Sequence, residues 1–145
     1  MGNDIGRQVL GTIGHSIALA ASDDADFKVG GVTADWANIA AQSGSDATFA
    51  DGVVVAVGEK ALPLGTVLYK HASGLYRVAD NTTTLVAGET YLVNKTVKEE
   101  DVKSNFPEVL FGGSVWKELL RVGGGAQPTL AALLAVCPRL QLIST

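Results

Sequence analysis

The sequence predicts a mainly β domain, of the β-rich α+β kind, with one short helix near its C-terminal end. Three observations predict it. Gly occurs 17 times and Pro only 4 times in 145 residues. Runs of Val, Thr and Leu are short and broken by Gly, Asn and Asp, the pattern of strands joined by turns. Spacing at 3, 4 and 7 is sustained over only Leu130, Leu133, Leu134 and Cys137.

The totals narrow the function classes. A chain of 145 residues can bury one core and hardly two. With 47% apolar and 18% charged residues it is too apolar for a disordered protein. The formal net charge is −4 and the 11 Lys and Arg are scattered, so nucleic acid is not an expected partner. The single cysteine, Cys137, has no second cysteine to pair with. No basic start leads into an apolar run and a cleavage site. No apolar run approaches the roughly 20 residues that cross a bilayer. The expectation is a soluble chain, made and used in a cytoplasm, with no membrane contact.

Residues 1–21 are mildly apolar and punctuated by Gly2, Gly6, Gly11 and Gly14. Each Gly costs a helix about 1 kcal/mol against Ala, so a free helix is not expected. Two readings stand: a frayed terminus, or an arm that orders against a neighbour. Ser22–Asp26 reads as an acidic, solvated turn, because the glycine and terminal Glu of a calcium loop are missing. Phe27–Trp36 reads as a strand broken at Gly30-Gly31 by a bulge or hairpin turn, with Trp36 in the core. Gln42–Asp46 is a loop by composition. It divides the chain into an arm or embellishment over 1–46 and a β-rich domain over 47–145.

Gly52–Val57 carries the densest β-branched run and predicts a strand buried on both faces. Thr66–Lys70 and Leu75–Val78 predict a hairpin around His71–Gly74, followed by a turn at Asp80–Thr84. Thr90–Val93 is a strand, and the mixed charges of Lys95–Asn105 read as a solvated loop or short helix. Phe106–Thr145 organises the rest. A strand from Val109 runs through Gly112-Gly113 to about Trp116 and gives way to a turn of helix. Pro128 suits the first turn of the next helix, Pro138 stops it, and Leu140–Ile143 closes the chain as a strand.

Signatures of catalysis are missing from the sequence. It contains no phosphate loop and no Gly-x-Ser-x-Gly elbow. His15 and His71 lack a second ligand at metal spacing, so neither a metal nor another cofactor is expected. His71 reads as a solvated turn residue and Cys137 as a small core residue. Tyr69, Tyr76 and Tyr91 fall on strands and read as ordinary sheet residues. The expectation is a non-enzyme with no small-molecule substrate.

From about Leu62 onward, the order of signals resembles the lambda-type bacteriophage head decoration, or capsid cement, proteins. The residues that carry it begin with Leu62-Pro-Leu-Gly-Thr-Val-Leu-Tyr69 as a turn into a strand. Ser73–Val78 follows as a hairpin, then Tyr91–Asn105 as a strand and charged loop. Phe111–Leu120 is a Gly-led strand, and Thr129–Ile143 holds the short helix and last strand. The resemblance covers roughly the last 85 residues and rests on order and spacing rather than on one motif. It implies a small barrel-like or β-tulip-like domain and a homotrimer. It also implies attachment to the major capsid protein on the outside of an expanded virion shell, assembled in the host cytoplasm. Under it, Ile5, Val9, Leu10, Ile13 and Ile17 are candidate capsid contacts, and Phe111 and Trp116 candidates for a trimer seam. A carbohydrate- or ligand-binding β module of a fibre or tail is the alternative, and a hydrolase with a dispersed site is a third reading.

Overall fold

The computed structural model describes residues 17–102 and 105–144. In chain order these form β1 (Asp26–Phe27), β2 (Val32–Thr33), β3 (Ala47–Thr48), β4 (Val54–Val55), β5 (Ala61–Leu62) and β6 (Val67–Lys70). Then come β7 (Tyr76–Val78), β8 (Thr90–Val93), β9 (Val97–Lys98), β10 (Asn105–Phe106), β11 (Val109–Trp116), helix α1 (Leu130–Val136) and β12 (Leu140–Ile143). Single 3-10 turns cover Trp36–Asn38, Glu99–Asp101 and Lys117–Leu119. The fold is therefore mainly β with one short helix, as the composition predicts.

β11 is the hub. Its first half pairs antiparallel with β8, Val109 opposite Val93 and Leu110 opposite Leu92. On its other side β1 pairs with it irregularly at Leu110 and Gly112. Its second half runs parallel to β12, from Gly113 opposite Leu140 to Trp116 opposite Ile143. The strand changes partners at Gly112-Gly113. Gly113 has φ of 98°, and a Cβ there would lie 2.6 Å from both Ala25 Cα and the Asp24 carbonyl oxygen. Only glycine permits that approach.

The main sheet runs β1-β11-β8-β6-β7, with β12 branching off β11. It is open, ending at β1 and β7, and among the described residues no barrel closes. The barrel-like expectation is corrected on that point. Three two-stranded pairs, β10-β2, β3-β4 and β5-β9, flank the main sheet.

Both faces of the sheet are covered, which explains why all four residues of β8 are buried. Side chains alternate between faces along each strand. Val67, Leu92 and Leu110 enter one core with Leu19, Leu133 and Cys137. Leu68, Tyr91, Val93 and Val109 enter the other with Val32, Ile39 and Phe106. Helix α1 starts at Thr129, whose side-chain oxygen accepts from the Ala132 N–H at 3.1 Å. Pro128 thus lies just before the cap rather than inside the first turn. Burying Leu133 completely contributes about 2 kcal/mol.

Two expectations are corrected. Residues 17–39 supply Leu19 to one core and Val32, Ala34 and Ile39 to the other. β1 and β2 pair with β11 and β10 instead of with each other. The boundary at residue 46 therefore does not separate an embellishment from a main domain within the described residues. The Gly52–Val57 run also differs. Only Val54 and Val55 are strand, in a two-residue ladder with β3. Val55 is 2% exposed, whereas Val54 and Val57 are 48% and 53% exposed. β-branching favoured a strand, but pairing with β3 alone leaves one face to solvent. Val55→Ala is expected to lower stability by about 2 kcal/mol, and Val54→Ala by under about 0.5 kcal/mol, in urea denaturation. Equal losses would contradict this placement.

Candidate functional site

The sequence-predicted contact residues fall in different places. Ile5, Val9, Leu10 and Ile13 lie outside the described residues. Ile17 is buried, 8% exposed. It leads into a segment laid along β11: Leu19 N–H donates to the Asn94 carbonyl at 2.8 Å, and Trp116 N–H donates to the Leu19 carbonyl at 3.0 Å. Ala20 N–H donates to the Asn94 side-chain oxygen at 2.9 Å, which satisfies a buried asparagine. Ile17 is thus the root of any N-terminal arm, with little surface left to offer a shell.

Trp116 is 2% exposed and occupied by its own chain, so the seam role read for it is corrected to core. Phe111 is half-buried, its ring edge-on to Tyr91 at 5.9 Å between centroids. Apolar surface lies elsewhere. Among the described residues, Phe27, Val29, Val54, Val57, Val78 and Val86 are the large exposed apolar ones. Val54 and Val57 belong to the β3-β4 hairpin, which is tied down by Asp51. That carboxylate accepts from Thr96 N–H at 2.7 Å and from the Thr96 hydroxyl at 3.0 Å. The Arg121 guanidinium stands 5.9 Å from the Phe49 ring in the same hairpin, within cation–π range.

Residues with catalytic potential are engaged locally. Burial pushes the Cys137 thiol up to about 11, so it stays protonated near neutral pH. It points its sulfur at the Thr90 carbonyl at 3.7 Å. His71 Nδ1 accepts from Ser73 N–H at 3.2 Å and lies 3.1 Å from the Ser73 hydroxyl. Both contacts span two residues and close the hairpin turn; no carboxylate of a described residue hydrogen-bonds the ring. His15 lies outside the described residues. Among the described residues no group of three or more His, Cys, Asp or Glu is placed to hold a metal ion. No helix among them is long and apolar enough to cross a membrane.

The acidic turn is a clamp as well as a solvated loop. Asp24 accepts from Ser114 N–H at 3.0 Å, the Ser114 hydroxyl at 2.8 Å and the Ser22 hydroxyl at 2.8 Å. These bonds, the Ser114 N–H foremost, hold its carboxyl below the ordinary 3.8. Asp26 pairs with Arg139 at 3.1 Å. Asp35 accepts from Arg77 Nε at 2.8 Å and Asn38 Nδ2 at 2.9 Å. Arg77 above all keeps Asp35 low as well. Thr82 and Thr83 do the same for Asp80, and the Ala56 N–H foremost for Glu59. Glu100 is raised by the Glu59 carboxylate.

The sign of the pH dependence follows. A carboxyl depressed on folding stabilises above its unfolded value and loses that contribution as pH falls through the folded value. Asp24, Asp35, Glu59 and Asp80 act in this sense, and Glu100 in the opposite one. The melting temperature is expected to change little near neutral pH and to fall below about pH 4. Asp24→Asn with Asp35→Asn should flatten that acid limb in thermal melts across pH. An unchanged limb would remove these two groups from the account.

Comparison of this chain with family models, with curated proteins and with solved structures finds no match.

Proposed function

We propose that this chain is a phage head decoration protein. It binds the outside of the expanded capsid, across junctions of the major capsid protein, and stabilises the shell against internal DNA pressure. The observation that supports this reading is the succession of elements from Leu62 onward. A turn leads into β6, the β6-β7 hairpin and β8 follow, and then a charged loop. β11, a 3-10 turn, α1 and β12 close the chain. That is the order of signals on which the resemblance to the lambda-type cement proteins rests.

In this reading the chain acts by binding alone, as a homotrimer on the virion exterior, assembled in the host cytoplasm. Contacts made only with the assembled, expanded shell stabilise that state by mass action. Ile5, Val9, Leu10 and Ile13 supply the apolar contacts, adding an extended segment to a capsid edge. The buried root at Ile17 and Leu19 anchors them to the domain. Phe111 remains the candidate for the trimer seam, since aromatic residues are enriched at interface cores.

The test is calorimetry of expanded phage heads that lack decoration, with and without the purified protein. A higher shell melting temperature is expected, together with light scattering that gives a trimer in solution or on the shell. No change in shell melting, with a chain that stays monomeric throughout, would sink the proposal.

A further inference from the structure

A polar cleft of about 400 Å³ opens beside β2, the β6-β7 hairpin, the turn before β8 and β10. Its volume is in the range of small-molecule sites. Lys28, Thr33, Lys70, Tyr76, Glu89 and Asn105 line it. Sequence positions this far apart meet only through the fold.

Tyr76 is the informative residue. It is 6% exposed, and its ring packs edge-on to Tyr91 at 5.8 Å. Buried tyrosine hydroxyls ordinarily find a partner. The Tyr91 hydroxyl does, donating to the Gly88 carbonyl at 3.0 Å. The Tyr76 hydroxyl makes no hydrogen bond to a described residue, yet it is not among the polar atoms sealed from solvent. Among the described residues, Tyr76 therefore lines the cleft with a hydroxyl that has no hydrogen-bond partner.

The rest of the wall is built for a polar guest. Lys28 Nζ lies 5.9 Å from the Tyr91 ring centroid, and its hydrogen bond to the Val29 carbonyl is long, at 3.4 Å. Neither Lys28 nor Lys70 is ion-paired with a described residue. Gly74 and Gly88 have open space where a Cβ would be. A Cβ on Gly31 would collide first with the Phe106 backbone carbonyl oxygen and also come within 2.6 Å of Asn105 Oδ1, so glycine is what lets the chain before β2 lie against β10 at this edge of the cleft.

We propose that this cleft binds a short saccharide bearing a carboxylate, of the hexuronate class. The two ammonium groups meet the acid. Tyr76, Thr33 and Asn105 both donate to and accept from sugar hydroxyls, and Glu89 accepts from them. The site is independent of shell attachment, so either can fail without the other.

The experiment is NMR titration of the ¹⁵N-labelled full chain with digalacturonate, neutral galactobiose, acetate and a short Glu-rich peptide. Digalacturonate is expected to shift the amides of Gly31, Gly74 and Gly88, and galactobiose to bind about tenfold more weakly. Tyr76→Phe, which keeps the ring, should weaken digalacturonate about fivefold, and Lys70→Ala, at an exposed position, about tenfold. Three results would each overturn the proposal: no shifts at these glycines with digalacturonate, acetate or the peptide binding as tightly as digalacturonate, or full affinity in both variants.

Discussion

Gly113→Ala is expected to lower stability by roughly 4 kcal/mol, enough to unfold much of a marginally stable domain. Two costs combine. The residue sits at φ of 98°, where a side chain is strained by about 1–2 kcal/mol. The new Cβ would also meet backbone atoms of Asp24 and Ala25 at 2.6 Å. Backbone cannot swing aside as a flexible side chain does. Relief would require the 22–26 turn to lift, which breaks the Asp24–Ser114 bonds and the β1 ladder. Gly30→Ala is the control. Its φ is 85°, but nothing lies within 4 Å of its Cβ, so it should lose only about 1 kcal/mol. Urea denaturation of both variants checks the contrast. Similar losses would show that the partner change in β11 does not depend on close approach at Gly113.

The second large effect concerns the N-terminal segment. Removing residues 1–16 is expected to leave the melting temperature of the domain unchanged and to abolish retention on expanded heads. Removing residues 1–21 is expected to prevent folding. The five further residues include Ile17, Leu19 and Ala21, at 8%, 0% and 7% exposure. Losing the Leu19 side chain alone costs about 3 kcal/mol. The cut also strips hydrogen-bond partners from Asn94, Ser114 and Trp116. Circular dichroism and sedimentation with heads read the two effects separately. If the shorter truncation stays on heads as well as the full chain does, Ile5, Val9, Leu10 and Ile13 are not the contacts.

Local signals account for the elements that were legible in the sequence. Thr90–Val93 is a strand with those bounds because an apolar, largely β-prone run lies between a turn and Asn94. The β6-β7 hairpin follows from His71–Gly74, and helix α1 from Thr129 and the spacing of its leucines. What was not legible depends on distant partners. Nothing near Val53–Val57 reveals that β4 would pair with β3 alone. Asp24 resembles any solvated acid until Ser114, 90 residues away, meets it. Leu19 looks like part of a loose terminus until Trp116 and Asn94 fix its backbone. Likewise Tyr76 reads as an ordinary sheet residue. Only the closing together of Lys28, Glu89 and Asn105 makes its hydroxyl notable.

The most direct measurement for the central claim is co-sedimentation of the purified full chain with compact and with expanded phage heads at matched concentration. Stoichiometric, saturable retention is expected on expanded heads and none on compact ones, if attachment needs neighbouring capsid subunits that only expansion aligns. Equal retention on both forms, or passage of all the protein into the supernatant with either, would contradict it.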